Sequence, residues 1–195
     1  KGLSFTLVQF LLLIAAYYSI NNKFSPSYSA YTLNEFTNIF KFILLVGSLM
    51  IFHYTYKHLK FLKILKIEYF TISLLGLIGT MIMISANSLL MLYLGIELLS
   101  LSLYALIGFN KKSSLSSEAA IKYYVLGAMS SGILLFGISL IYGFTGSIAY
   151  DDIASQLINI DMDSVDYIAI IFGIIFITAS LCFKFGAAPF HMWVP

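Results

Sequence analysis

The chain has 195 residues, of which 60% are hydrophobic and only 10% charged, with a mean hydropathy of +0.93. A soluble domain carries about 25% charge, so the composition is that of an integral membrane protein. One cysteine, three prolines and a scattered formal net charge of +2 exclude a disulfide scaffold, a low-complexity polymer and a nucleic-acid-binding surface.

A spanning helix needs about 20 predominantly apolar residues. In chain order, six segments meet or approach that length: about 3–20, 38–56, 67–84, 87–109, 115–143 and 165–185. They predict an all-α, polytopic transmembrane helix bundle forming a single transmembrane domain over 1–195. The first segment, behind Lys1, has the outline of a signal peptide, but no small-residue cleavage site follows it and further spans do. A spanning helix is therefore expected there. The fifth segment exceeds the hydrocarbon thickness and should tilt or protrude. Ser113 and Ser114 are placed to cap its start, and Glu118 suits its first turns. Within it, Gly127 and Ser131, like Ala128 and Gly132, are small pairs four apart, a spacing that lets helix backbones approach closely.

Loop charges orient the bundle. With alternating spans, one face collects Lys1, Lys57, Lys60, Lys63, Lys66, Lys111 and Lys112. The other collects Lys23, Glu35, Asp151, Asp152, Asp161, Asp163 and Asp166. Short loops rich in lysine stay on the cytoplasmic or matrix side, so the basic face should be cytoplasm or matrix. All eleven basic residues are lysine, a bias that AT-rich codons produce, as in many organelle and some bacterial genomes.

Two charges interrupt apolar segments. Glu97 lies at the middle of 89–109, and Lys184 lies within 167–195. A charge near the bilayer centre costs roughly 2.5–3.5 kcal/mol on insertion scales, a cost met where protons or ions move or where charges pair across helices. Helical spacing puts Tyr93, Glu97, Ser100 and Tyr104 on one stripe facing the bundle interior. Lys184 falls where the sixth helix should falter, since Gly186 and Pro189 follow it. A broken helix would present free carbonyls to a cation there. Snorkelling to the interface is the alternative for Lys184, and a purely structural ion pair is the alternative for both charges.

Lys122 follows Glu118 by four residues, the favourable order for a helical ion pair. Its position suits a structural and a functional role equally. His191 beside Trp193 would serve as a proton shuttle or as a packed ring. His53 and His58 flank the basic loop as interfacial residues, and Cys182 is expected to be packing. No metal-ligand cluster, nucleotide loop, haem motif or catalytic triad occurs in the sequence, so no cofactor and no metal are expected in this chain.

Three blocks in order carry a family resemblance. The first runs from Ser85 to Asn87 and from Leu94 through Glu97 to Tyr104. The second runs from Ser117 to Tyr124, followed by Gly127-Ala128 and Ser130 to Gly132. The third joins Phe183-Lys184-Phe185 to the run Pro189 to Pro195. Together they resemble NADH dehydrogenase subunit 2, an antiporter-like membrane-arm subunit of respiratory complex I. The run Tyr142 to Gly146 resembles its mitochondrial version. The resemblance covers roughly 35–195.

It implies a proton-translocating subunit of NADH:ubiquinone oxidoreductase, with no redox catalysis in this chain. Glu97 would be the glutamate of the charge pair, Lys184 the lysine on the broken helix, and Lys122 a lysine between them. His191 would be a second-tier relay. Other membrane-arm subunits and lipids are the implied partners. The implied location is the mitochondrial inner membrane with basic loops toward the matrix, or alternatively a bacterial plasma membrane. Members of the family carry a second, inverted repeat, so the chain is expected to supply one half-channel, with 186–195 as the second part of the broken helix. The other half would lie in a separate chain or a missing segment. A related cation/proton antiporter or membrane-bound hydrogenase, or a scaffold within the membrane arm, are the competing expectations.

Overall fold

The computed structural model describes residues 2–21, 30–62, 65–159 and 165–190, and side chains within 8–19, 30–62, 65–158 and 166–190 of these. The elements are α1 (Gly2–Asn21), α2 (Glu35–Phe61), α3 (Ile67–Ile84), α4 (Leu89–Ile107), α5 (Ser114–Thr145), α6 (Tyr150–Asn159) and α7 (Val165–Lys184). Among the described residues the only β pairing is two isolated bridges, so the all-α, polytopic bundle holds. α2, α3, α4, α5 and α7 are long and apolar enough to cross a membrane, while the described apolar part of α1 is shorter, Val8–Ser19.

Local chemistry sets the helix ends. Asn34 donates its backbone N–H to the Thr37 hydroxyl at 2.9 Å, holding the first turn of α2. Ser88 Oγ accepts the Met91 N–H at 3.2 Å and Ser113 Oγ accepts the Ser116 N–H at 3.3 Å, the side-chain capping that leaves fewer orphan donors. α5 closes at Gly146, whose φ of 68° places it in the left-handed region.

The bundle has two apolar centres. Leu12, Ala16, Leu45, Phe52, Leu59 and Phe70 join α1, α2 and α3. Leu89, Ile96, Leu134, Ile138 and Ile141 join α4 and α5, with Ile177 and Leu181 of α7 against them. Backbones meet closely at two crossings. A Cβ on Gly79 would stand 2.8 Å from the Gly95 carbonyl oxygen, and one on Gly137 would stand 2.8 Å from that of Gly173. The small pair Ala128 and Gly132 takes no part in such a crossing: both are exposed, and a Cβ on Gly132 would meet nothing within 4 Å. The close approach of α5 lies one to two turns later. Outward faces are apolar, as at Met50, Leu101, Met129 and Phe172, which suits lipid because every backbone group is already bonded within its helix.

On the face that gathers the acidic loops, short backbone ties hold the connections. Thr32 N–H reaches the Ser85 carbonyl at 2.9 Å, Asn87 N–H the Ala30 carbonyl at 3.0 Å, and Leu89 N–H the Ile148 carbonyl at 3.0 Å. The acidic loop contains a helix that the hydropathy pattern did not reveal. α6 is ten residues long, too short and too polar to stand out as a span, and it packs Tyr150 and Ile153 onto the second apolar centre.

Candidate functional site

Three helices converge on one ammonium. α4 carries Glu97 and Ser100, α5 carries Ser131, and α7 ends on Lys184. Lys184 Nζ donates to Glu97 Oε1 at 2.9 Å, to Ser131 Oγ at 2.8 Å and to Ser100 Oγ at 3.3 Å. An ammonium has three N–H donors, so all three are placed. The side chains of Lys184 and Glu97 are 10% and 21% exposed, which makes this a largely buried ion pair in a cradle of hydroxyls. The expected stripe faces the interior: Ser100 and Tyr104 are buried, Glu97 meets Lys184, and Tyr93 is half-buried against the second apolar centre.

The end of α7 explains why Lys184 looks inward. Gly186 adopts φ 63°. Its N–H bonds the Phe183 carbonyl at 3.1 Å, and the Ala187 N–H bonds the Cys182 carbonyl at 2.9 Å. This is the Schellman closure of a helix C-terminus. The carbonyls of Leu181, Cys182 and Phe183 are occupied by backbone donors, and the cation is held by side chains of neighbouring helices rather than by free carbonyls. Nor does Lys184 snorkel. The helix C-terminal dipole still favours a cation at this position.

Ser131 is the residue whose chemistry the sequence did not disclose. As a small residue four after Gly127, it suggested packing alone. In the fold it is 7% exposed and touches both charges: it accepts from Lys184 and donates to Glu97 Oε1 in a short hydrogen bond. Its hydroxyl also lies 3.0 Å from the Gly127 carbonyl, so the proton of Ser131 has two acceptors. Ser100 donates to the Ile96 carbonyl at 2.8 Å, leaving its lone pairs toward Lys184.

A cavity of about 100 Å³ opens from Lys184, lined by Ser100, Tyr104, Tyr123, Gly127 and Leu181. At ~30 Å³ of liquid volume each, it has room for a short file of waters. Tyr104 lies seven residues beyond Glu97, roughly 10 Å along α4 toward the basic face. Its ring packs edge-on against Tyr123, with centroids 4.7 Å apart. Gly127 makes room for that ring, because a Cβ there would collide with the Tyr104 hydroxyl.

Lys122 is not brought to this cluster. It pairs with Glu118 on the outer face of α5, with side chains 66% and 59% exposed. His191 lies outside the described residues. One further buried charge escaped the sequence reading. Lys41 of α2 is 5% exposed, and the criterion that singled out Glu97, a charge inside an apolar run, applies equally to Lys41 between Phe40 and Phe42.

Fold and site together define a multi-pass membrane protein whose helices enclose an intramembrane acid–base pair. The family model described as NADH:quinone oxidoreductase/Mrp antiporter, transmembrane region, matches residues 86–195, and the chain belongs to that family. It is 40% identical over 199 residues to the NADH-quinone oxidoreductase subunit N of Ruthia magnifica, covering 100% of this chain and 41% of that protein. With the subunit N of Thiobacillus denitrificans it shares 47% identity over 160 residues, covering 82% and 32%. The chain thus spans about two-fifths or less of the length of these relatives. In fold it resembles a chain of respiratory complex I from Thermus thermophilus, with a TM-score of 0.76 and 24% identity over 98% of this chain and 40% of that one. A chain of an archaeal membrane-bound sulfane sulfur reductase gives a TM-score of 0.77 and 23% identity, with the same coverage.

Proposed function

We propose that this chain provides a proton-translocating half-channel of an antiporter-like membrane-arm subunit of respiratory complex I, NADH:ubiquinone oxidoreductase. The observation that carries the proposal is the buried Glu97–Lys184 pair, held in the Ser100–Ser131 cradle and opening onto the cavity beside Tyr104. Opposite charges 2.9 Å apart interact by roughly 6 kcal/mol at an effective dielectric of about 20. Neutralising or withdrawing Glu97 removes that interaction, and Lys184 then favours giving its proton to the cavity. Restoring Glu97 favours reloading. The pair converts a change at one carboxylate into proton transfer at the neighbouring amine.

The cradle lowers the cost of separating the pair. When Glu97 withdraws, Lys184 keeps two hydroxyl acceptors, and Ser131 turns its own proton to the Gly127 carbonyl. In this reading Lys122 carries protons laterally, and His191 is a second relay. Charged residues within membranes usually face protein or water rather than lipid. The exposed Glu118–Lys122 pair therefore marks a face of α5 that another part of the assembly covers. The partners are the remaining membrane-arm subunits and the segment or chain that carries the second repeat. The lysine-only composition and the run Tyr142 to Gly146 favour a mitochondrial inner membrane with the basic face toward the matrix. The bacterial origin of the relatives supports the alternative, a bacterial plasma membrane.

A second reading, a cation/proton antiporter subunit, draws on the family description, which joins both activities. NADH-driven proton uptake by the assembled complex in vesicles separates the two. Glu97→Gln should abolish uptake while the complex still assembles. Uptake at the wild-type rate would overturn the assignment, and NADH-independent sodium exchange by the wild type would favour the antiporter.

A further inference from the structure

Lys41 is a buried charge that the Glu97–Lys184 mechanism does not use. It sits six residues after the first residue of α2, on the side of the acidic loops, and among the described residues no carboxylate pairs with it. Its ammonium donates to the Tyr31 hydroxyl at 2.9 Å and lies 4.9 Å from the centre of the same ring. Beside Tyr31 is Ser85, fully buried, whose hydroxyl makes no aligned hydrogen bond. Burial pushes the Tyr31 phenol up, but hydrogen bonding from Lys41, the proximity of the Ser85 hydroxyl and the Lys41 charge outweigh it, leaving the phenol below its ordinary value.

A structural latch does not account for this cluster. The segment around Tyr31 is already tied to the α3–α4 turn by the backbone bonds Thr32 to Ser85 and Asn87 to Ala30. An apolar side chain would fill the Lys41 site without the desolvation penalty of a charge. An intramembrane ionisable residue whose burial is not repaid by a counter-charge among the described residues points to a proton function.

We propose that Lys41 and Tyr31, with Ser85, form a second proton-binding site, separate from Glu97–Lys184, that exchanges protons with water at the acidic face. Lys41 passes a proton to the Tyr31 oxygen as the Tyr31 hydroxyl proton leaves for water. One O–H bond forms as another breaks, so the phenol stays neutral and Lys41 becomes a neutral amine. Uptake runs the same steps backward. Ser85 Oγ supplies the acceptor to which the Tyr31 hydroxyl turns between transfers. Tyr31 is the titratable group in contact with Lys41 among the described residues. Glu35, on the same helix, is exposed, as are Tyr17 and Tyr18 of α1, which packs against α2, and the α3–α4 turn carries no charged residue.

The proposal rests on the proton-translocating reading, and the test separates the two. The assembled complex is reconstituted in vesicles, and NADH-driven proton uptake is followed against pH for the wild type, Glu97→Gln, Lys41→Met and Tyr31→Phe. Tyr31→Phe keeps the ring beneath the ammonium and removes only the hydroxyl. Loss of uptake, or a shifted pH profile, in Tyr31→Phe at wild-type assembly is the expected result. A Tyr31→Phe complex with the wild-type rate and profile overturns the second site and leaves Lys41 as a latch, whether or not Lys41→Met assembles. If Glu97→Gln itself pumps normally, the proton-translocating reading fails instead.

Discussion

Lys184 and Lys41 are the same side chain withdrawn from water in the same bundle, 10% and 5% exposed, yet they meet opposite company. Lys184 ends α7 against a carboxylate and two hydroxyls contributed by α4 and α5. Lys41 stands near the start of α2 against one phenol from a preceding loop. The first lysine is governed by another titrating group and is coupled to three helices. The second has no carboxylate beside it among the described residues and contacts a phenol on a segment fixed by backbone bonds. What a buried lysine can do is thus set by its counter-charge more than by its burial.

The largest effect should come from removing counter-charges in turn. Glu97→Gln leaves Lys184 without its anion, either as an uncompensated ammonium or as an amine that has given its proton to the cavity, a loss of at most about 3–5 kcal/mol for a broken, largely buried pair. Thermal unfolding of the assembled complex should register that loss, and adding Lys184→Met to Glu97→Gln should recover most of it. Lys41→Met should be near neutral or stabilising, because it strands no buried charge and leaves only the half-buried Tyr31 hydroxyl without its donor. Equal losses at both lysines would erase the distinction.

Next come two glycines, one on a helix of each lysine's site. Gly137→Ala places a Cβ 2.8 Å from the Gly173 carbonyl and 2.9 Å from Ile177. Overpacking of this kind costs about 1–3 kcal/mol and should separate α5 from α7, lowering proton uptake together with stability. On the Lys41 side, Gly47→Ala meets nothing within 4 Å and should leave stability unchanged or raise it by about 0.5–1 kcal/mol, the helix preference for alanine.

The smallest effect is spectroscopic. Tyr31 is held below its ordinary value, whereas burial pushes Tyr150 up. In alkaline phenolate titrations, wild type minus Tyr31→Phe should show a midpoint below about 10, and wild type minus Tyr150→Phe one above it. The signs follow linkage. The Tyr31 contribution to stability is present above the unfolded tyrosine value and is lost as pH falls through its folded value. That of Tyr150 is present below the unfolded value and is lost as pH rises through its folded value. A Tyr31 midpoint above about 10 would remove the lysine from beside it.

The linear chain determined the bundle. Apolar runs of spanning length can satisfy their backbone only as helices in lipid, so the all-α architecture and the positions of α2 to α5 and α7 are legible from local sums of hydropathy. The same sums exposed Glu97 and Lys184 as anomalies. Their meeting across 87 residues depends on how each helix is rotated, and the glycine crossings decide that rotation. Tertiary structure alone turned Ser131 from a packing residue into the bridge between the charges. It closed the end of α7 on itself, sent Lys122 outward, folded α6 from a loop and set Lys41 over Tyr31. A residue's burial and contacts belong to the neighbours that packing selects, and spacing along one helix does not specify them.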